Sequence, residues 1–187
     1  MEKWEVIGSR YVYESPYGSL RLDSCRLPTG AILDEYNVCE YPQWADIVAL
    51  NDKKELILVK QYRHGIGDFS LELVAGCVDS DESPTDAIIR ELHEEAGYAC
   101  LSAPILLGKF HCNPARQNNF IYLFFCDNIC KKYEQKLDDT EEIEVIYIPF
   151  DKVDDLIASG AITQLSSVTA IKLAQEYIRN ESCLKGA

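Results

Sequence analysis

Glu91, Glu94 and Glu95 stand in one short run, Arg90-Glu91-Leu92-His93-Glu94-Glu95-Ala96-Gly97-Tyr98. On a helix, positions i, i+3 and i+4 project from one face. Three carboxylates crowded there repel one another unless a positive charge lies between them. Oxygen donors suit hard divalent cations, so Mg2+ or Mn2+ is the expected partner. The competing reading is an ordinary solvated helix face. A single pair of glutamates would favour that reading. Here the fixed spacing of Gly76, Glu82, Arg90, Glu91, Glu94, Glu95 and Gly97 must also be explained, and chance explains it poorly.

The element carrying these side chains signals its own ends. Ser83 can cap a helix, Pro84 suits its first position, and Asp86 follows the cap by three residues, as in a capping box. Gly97 is a C-terminal stop. At about 100° per residue, Ile88, Ile89, Leu92 and Ala96 share an apolar arc. The glutamates fall beside that arc, at the margin of a core. Arg90 falls outside their cluster and can brace a carboxylate or the preceding loop.

The rest of the chain reads as a framework of strands. Residues 4–39 alternate loosely, with turns at Ser15-Pro16-Tyr17-Gly18 and Pro28-Thr29-Gly30, and predict two or three antiparallel strands. Ala45–Leu50 and Glu55–Gln61 read as strands joined through the hairpin signal Asn51-Asp52-Lys53-Lys54. Leu71–Ala75, Ile105–His111, Phe120–Cys126 and Ile143–Ile148 read as further strands. Phe150–Ser159 and Thr163–Arg179 read as helices, the second with Val168, Ile171, Ala174 and Ile178 at helical spacing. Strands mixed with a few helices predict an α/β sandwich.

Composition bounds the partners. The chain has 187 residues, 47% of them hydrophobic, and a net charge of −13. It is long enough for one domain with an appended subdomain. No run approaches the ~20 apolar residues of a membrane span, and the first residues lack the apolar core of a signal peptide; a cytoplasmic protein is expected. The acidic balance argues against nucleic acid. It does not exclude a phosphorylated substrate, because a bound cation reverses the local field. Eight cysteines are scattered with no CxxC pair, so reduced thiols filling small apolar spaces are expected rather than zinc or disulfides. Tyr11, Tyr13 and Tyr62 could stack on a base, but core packing is the expected use of each.

The segment Gly76–Tyr98 resembles the signature box of the Nudix hydrolases, Gx5Ex7REUxEExGU, matching every fixed position, with Tyr98 at the terminal bulky-aliphatic place. Flanking residues resemble the branch that cleaves ADP-ribose and nucleoside diphosphate sugars. They include Lys60-Gln61-Tyr62-Arg63, Leu71-Glu72-Leu73-Val74-Ala75-Gly76, Pro114 at sixteen residues past Tyr98, and Glu141-Glu142-Ile143-Glu144-Val145. Two positions depart from that branch: Val74 replaces a proline, and Ala115-Arg116-Gln117 follows Pro114 where a glycine is usual.

The resemblance implies an α/β/α sandwich with a mixed sheet, and an N-terminal antiparallel β subdomain at 1–43 ahead of a catalytic domain at 44–187. It implies a homodimer formed through that subdomain. It implies metal binding by Glu91, Glu95 and Glu94, with the Ala75 carbonyl as a further ligand and Glu82 either in the metal shell or bracing the loop. Glu141 or Glu142 would take the proton of the attacking water, Glu141 being preferred. Arg63, Glu72, Pro114 and Arg116 would meet the substrate. The implied reaction is metal-dependent hydrolysis of a nucleoside diphosphate sugar such as ADP-ribose. A pyrophosphohydrolase of nucleoside triphosphates or dinucleoside polyphosphates, and a non-catalytic nucleotide-binding regulator, are the alternatives.

Overall fold

A computed structural model describes residues 1–185. The chain divides into two units. Residues Met1–Gln43 together with Phe110–Phe120 form the first, and Trp44–Lys109 with Ile121 onward form the second.

In the first unit, β1 (Glu5–Ser15), β2 (Gly18–Arg26) and β3 (Ile32–Glu40) make an antiparallel sheet in sequence order. The expected turns join them. At the first, the Ser15 hydroxyl accepts from the Tyr17 N–H (3.2 Å) and donates to the Gly18 carbonyl (2.9 Å). At the second, the Gly30 N–H closes onto the Leu27 carbonyl at 2.9 Å. The segment Phe110–Phe120 is tied to β3. The Cys39 N–H donates to the Arg116 carbonyl (2.7 Å), and the Tyr36 hydroxyl donates to the Ala115 carbonyl.

The second unit is built on β4 (Trp44–Ala49), β5 (Glu55–Arg63), β6 (Asp68–Cys77), β7 (Tyr98–Cys100), β8 (Ile105–His111), β9 (Phe120–Cys126), β10 (Ile129–Lys131) and β11 (Ile143–Pro149), with the ends of β8 and β9 reaching into the first unit. Its helices are α1 (Pro84–Ala96), α2 (Val153–Ala158, after a 3-10 turn at Phe150–Lys152) and α3 (Leu165–Lys185). The main sheet runs β11-β5-β6-β4-β9-β8, while β7 and β10 pair separately. It is mixed: β4 is parallel to β9 and antiparallel to β6.

Side chains alternate between the two faces of this sheet, as the pleat requires. Ala45, Ile47, Ile57, Val59, Val74 and Phe124 pack with Ile88, Leu92 and Ala96 of α1. Val48, Leu50, Leu56, Leu58, Leu73, Leu123 and Phe125 pack with Ala170, Ile171 and Ala174 of α3. Both faces are covered, which is why the central strands read as nearly unbroken apolar runs.

One expectation fails here. β4 and β5 are not hairpin neighbours, because β6 lies between them. The turn signal at Asn51–Lys54 is real, with the Asn51 side chain accepting from the N–H groups of Lys53 (3.0 Å) and Glu55 (2.9 Å). Only the Leu50–Leu56 bridge forms before the strands separate. Turn chemistry reverses the chain; it does not decide which strand fills the gap. The short β7 and β10 were also unforeseen. No helix among the described residues is long and apolar enough to cross a membrane.

Candidate active site

α1 begins and ends where its sequence says. The Ser83 hydroxyl accepts from the Asp86 N–H (3.1 Å) and donates to the Asp86 carboxylate (2.7 Å). Gly97 adopts φ +68° and its N–H donates to the His93 carbonyl at 2.8 Å. The buried face is Ala87, Ile88, Leu92, Glu95 and Ala96. Ile89 departs from expectation: it lies at the edge of the arc and is exposed. Glu95, by contrast, sits within the apolar face and is only 4% exposed.

The strand opposite makes room for the carboxylates. β6 pairs with β5 through Asp68–Leu73 and with β4 through Val74–Cys77. Where it changes neighbours, the Ala75 N–H donates to Glu95 Oε2 at 3.3 Å. At the next residue the strand has no side chain. A Cβ on Gly76 would stand 1.9 Å from Glu91 Oε1, so only glycine lets Glu91 lie against the backbone there.

Arg90 braces the surrounding acids, as its position predicted. Its guanidinium donates to Glu82 (2.7 and 3.3 Å), Glu91 (2.8 Å), Glu94 (3.1 Å) and the Cys77 carbonyl (3.1 Å). Glu82 in turn accepts from the Asp79 N–H at 3.0 Å, which fixes the loop between β6 and α1. The hydrogen bonds to Arg90 hold the Glu82 carboxyl below its ordinary value.

Glu91 and Glu95 behave oppositely. Burial pushes the Glu91 carboxyl up to about 7, against the pull of Arg90. Burial, then the charge of Glu91, pushes Glu95 up to about 8. Glu91 shares the one Arg90 guanidinium with Glu82 and Glu94, and among the described residues Glu95 is held by the Ala75 N–H alone. Among the described residues, no three His, Cys, Asp or Glu side chains converge into a ready coordination sphere. The donor set nevertheless fits a divalent cation. Two buried, mutually repelling carboxylates are all-oxygen ligands that need a counter-charge, and Glu91 would exchange its bond to Arg90 for the ion.

Arg63 and Glu72 form the next feature on this face. Arg63 Nη2 lies 2.6 Å from Glu72 Oε2, and Nε lies 3.2 Å from both carboxylate oxygens. Glu72 is buried and Arg63 remains about one third exposed. A planar guanidinium held from one side keeps donors for a second anion. The charges of Glu95 and Glu141 also act on Arg63, and that of Glu141 acts on Glu91 and Glu95. Ala75, Glu82, Glu91, Glu94, Glu95, Arg63, Glu72 and Glu141 thus belong to one neighbourhood. Glu142 is exposed just before β11. Pro114 and Arg116 lie exposed in the first unit, on the segment tied to β3.

Two further side-chain expectations change, and one buried acid escaped the sequence. Tyr11, Tyr13 and Tyr62 are about half or more exposed rather than packed in a core. Cys25 and Cys126 are buried fillers, but Cys112 and Cys183 are exposed; all eight thiols are free. Asp46 of β4 gave no signal in the sequence, being one acid in an apolar run. It is fully buried on the α3 face, and neither carboxylate oxygen meets a well-placed donor.

Comparison with known proteins places this geometry. A family model described as "NUDIX domain" matches residues 41–167, and one described as "Nucleoside diphosphate sugar hydrolase N-terminal domain" matches residues 4–38. The chain is 24% identical over 182 residues to the methanol dehydrogenase activator of Bacillus methanolicus, covering 97% of this chain and 95% of that one. It is 23% identical over 172 residues to the ADP-ribose pyrophosphatase of Bacillus subtilis strain 168, covering 91% and 92%. A solved structure titled as an ADP compounds hydrolase matches with a TM-score of 0.86 over 97% of both chains. Its identity is 21%, so that likeness concerns the fold, and it agrees with the expected α/β/α sandwich.

Proposed function

This chain belongs to the Nudix hydrolase family, and on that premise we propose that it hydrolyses the diphosphate linkage of ADP-ribose or a related nucleoside diphosphate sugar. Water enters the diphosphate, one P–O bond breaks, and a nucleoside monophosphate and a sugar phosphate leave. The observation that carries the reading is the buried, mutually repelling pair Glu91 and Glu95, the first sharing Arg90 with two other acids and the second held by a backbone N–H, together with Arg63 fixed by Glu72. A carboxylate pair of this kind suits Mg2+ or Mn2+, and a half-held guanidinium suits phosphate.

Glu91, Glu95 and Glu94 would hold the metal, with the Ala75 carbonyl as a further ligand and Glu82 at the edge of the shell. The bound ion supplies charge neutralisation and a water of lowered pKa. Arg90 keeps Glu94 and Glu82 in place and does not meet substrate. Arg63, steadied by Glu72, contacts phosphate or ribose. Glu141 takes the proton from the attacking water, and its electrostatic reach to Glu91 and Glu95 supports it over Glu142. The resemblance to this branch assigns Pro114 and Arg116 to the substrate.

The match of residues 4–38 to a nucleoside diphosphate sugar hydrolase N-terminal domain supports this branch over triphosphate cleavage. The relative named ADP-ribose pyrophosphatase supports ADP-ribose as the first substrate to try. A homodimer is part of the proposal. Val6, Ile7, Tyr11, Val12 and Tyr13 leave β1 with an apolar, exposed surface of the kind that marks interfaces. A cytoplasmic site suits eight free thiols.

The test is a panel of nucleotide sugars, triphosphates and dinucleoside polyphosphates incubated with Mg2+. ADP-ribose should give AMP and ribose 5-phosphate. Activity confined to triphosphates or dinucleoside polyphosphates overturns the branch. Absence of turnover across the whole panel favours a nucleotide-binding regulator.

A further inference from the structure

The end of β10 and the segment after it close over the C-terminal end of α1. The last carbonyls of a helix have no partner within it, and here this stretch supplies partners for three in succession. Lys136 N–H donates to the Glu94 carbonyl at 2.9 Å. The Gln135 amide donates to the Glu95 carbonyl at 2.7 Å. Lys131 Nζ donates to the Ala96 carbonyl at 2.8 Å. The N–H groups of Lys132 and Tyr133 both donate to the Gly97 carbonyl at 3.0 Å, and Tyr133 packs on His93 with ring centroids 4.0 Å apart. A Cβ on Gly97 would stand 2.3 Å from the Tyr133 carbonyl oxygen. The glycine that ends the helix is therefore also what lets the segment lie this close.

Gln135 differs from the other members of this clasp. Its Nε2 carries two hydrogens, and the second donates to the Ile143 carbonyl at 3.2 Å. Ile143 is the first residue of β11, two positions after Glu141. One side-chain amide thus joins the turn of α1 bearing Glu95 to the base of the loop bearing Glu141. Between those anchors the loop is held mainly by short-range bonds of its own, the Asp138 and Glu141 N–H groups exchanging with Glu141 Oε2 (3.0 Å) and the Asp138 carbonyl (2.9 Å).

We infer that Gln135 is a positioning residue of the active site, setting where Glu141 stands relative to Glu91 and Glu95 by tying the α1 terminus to the start of β11. The inference rests on the role proposed for Glu141. The two bonds lost with this amide come from an exposed residue, so their loss should move stability little. Misplacing a proton acceptor by a fraction of an ångström should slow turnover without weakening substrate binding.

The experiment uses the full chain with Mg2+ and ADP-ribose and compares Gln135→Met, Gln135→Glu, Glu141→Gln and the double variant Gln135→Met/Glu141→Gln. Both Gln135 variants keep the length of the side chain but lose its two donors; the first adds no charge. Glu141→Gln should lower kcat by about 100-fold or more, the scale of a lost general base. Gln135→Met should lower kcat roughly tenfold, with KM within about twofold and Tm within a few °C. Its amide exchange should rise across 138–143 while α1 stays protected. The double variant should be no slower than Glu141→Gln alone.

A double variant slower by a further tenfold overturns the inference, because a purely structural role gives additive losses. So does normal kcat or unchanged exchange across 138–143 in Gln135→Met. Normal kcat in Glu141→Gln is a separate failure: it removes the role of Glu141 itself, and the inference with it.

Discussion

The two faces of the central sheet are equally buried and differently made. The α1 face mixes core aliphatics with Glu91, Glu95, Glu72 and Arg63, each acid placed against glycine, backbone N–H or guanidinium. The α3 face is aliphatic and aromatic from Leu50 to Leu123, with Asp46 as its one buried acid in the strands. Alternation along the same strands builds both, so the difference lies in what each face was supplied with. On the α1 face, backbone irregularities accommodate charge: β6 changes neighbours at residue 74, and Gly76 lacks a side chain. On the α3 face no such provision surrounds Asp46. The acids of the α1 face are packed with such provision; Asp46 is buried without it.

The sharpest way to break this comparison is to neutralise Glu95. Glu95→Gln keeps the shape and removes the charge, so turnover should fall by about 1,000-fold or more if the residue holds an essential metal. Its Tm in the absence of metal should hold or rise, since an uncompensated buried carboxylate has been removed. Isothermal titration with Mn2+ and a thermal melt check both halves. Normal turnover would show that the α1 face is charged for some reason other than metal-assisted hydrolysis.

A core truncation on the opposite face should have the converse signature. Leu73 is fully buried against α3, and Leu73→Ala should cost about 2–5 kcal/mol of stability. Well below its lowered Tm, the variant's kcat should stay within a few-fold of the parent. Urea unfolding and steady-state kinetics separate the two effects. A kcat loss as large as that of Glu95→Gln would mean that the faces are not separable.

These contrasts also explain what could be read from the sequence. The carboxylate helix was legible because its caps, apolar arc and glutamates repeat at fixed spacing, and several weak signals agreed on one element. Arg90 was legible as a brace because it falls outside the glutamate cluster yet within reach of it. The strand order was not, because Asn51–Lys54 reports only a local reversal, whereas the insertion of β6 is a long-range choice. Tyr11, Tyr13 and Tyr62 looked like core residues by type, but a type does not say which face of a strand is covered. Asp46 is buried, and Gln135 is bonded, by elements distant in the chain. Neither belongs to a spacing pattern, and each became visible only when β4 met α3 or when residue 135 met both α1 and β11.

The pH dependence of the metal-free protein sharpens the same contrast. Glu95 rises from an ordinary 4.5 to about 8 on folding, and Glu91 to about 7. A raised carboxyl holds its proton more tightly in the folded chain. Its contribution to stability is therefore full below about pH 4.5 and is lost as pH climbs to about 8. The combined loss is on the order of a few kcal/mol, so Tm should drop by several °C between pH 5 and 8 without divalent ions. Glu95→Gln should flatten that slope. Addition of Mg2+ at pH 8 should restore part of the lost Tm. A flat profile in the parent protein would show that these carboxylates are better compensated than their burial implies.

Asp46 gives the smallest and most discriminating test. Burial pushes its carboxyl up to about 7; the Ser166 hydroxyl pulls the other way, and the charge of Glu72 adds to the rise. By the same linkage, its contribution is full below pH 3.8 and lost by about pH 7. Asp46→Asn cannot ionise, so it should be the less stable of the two at low pH and overtake the parent above pH 7. The gain should be only about 1 kcal/mol, because the amide brings N–H groups into a place short of acceptors. Turnover should stay within about twofold, since the side chain points into the α3 face rather than toward Glu91 and Glu95. Thermal melts at pH 5 and pH 8 read the first effect and steady-state kinetics the second. If Asp46→Asn slowed turnover as Glu95→Gln does, the boundary drawn between a working face and a structural face would vanish.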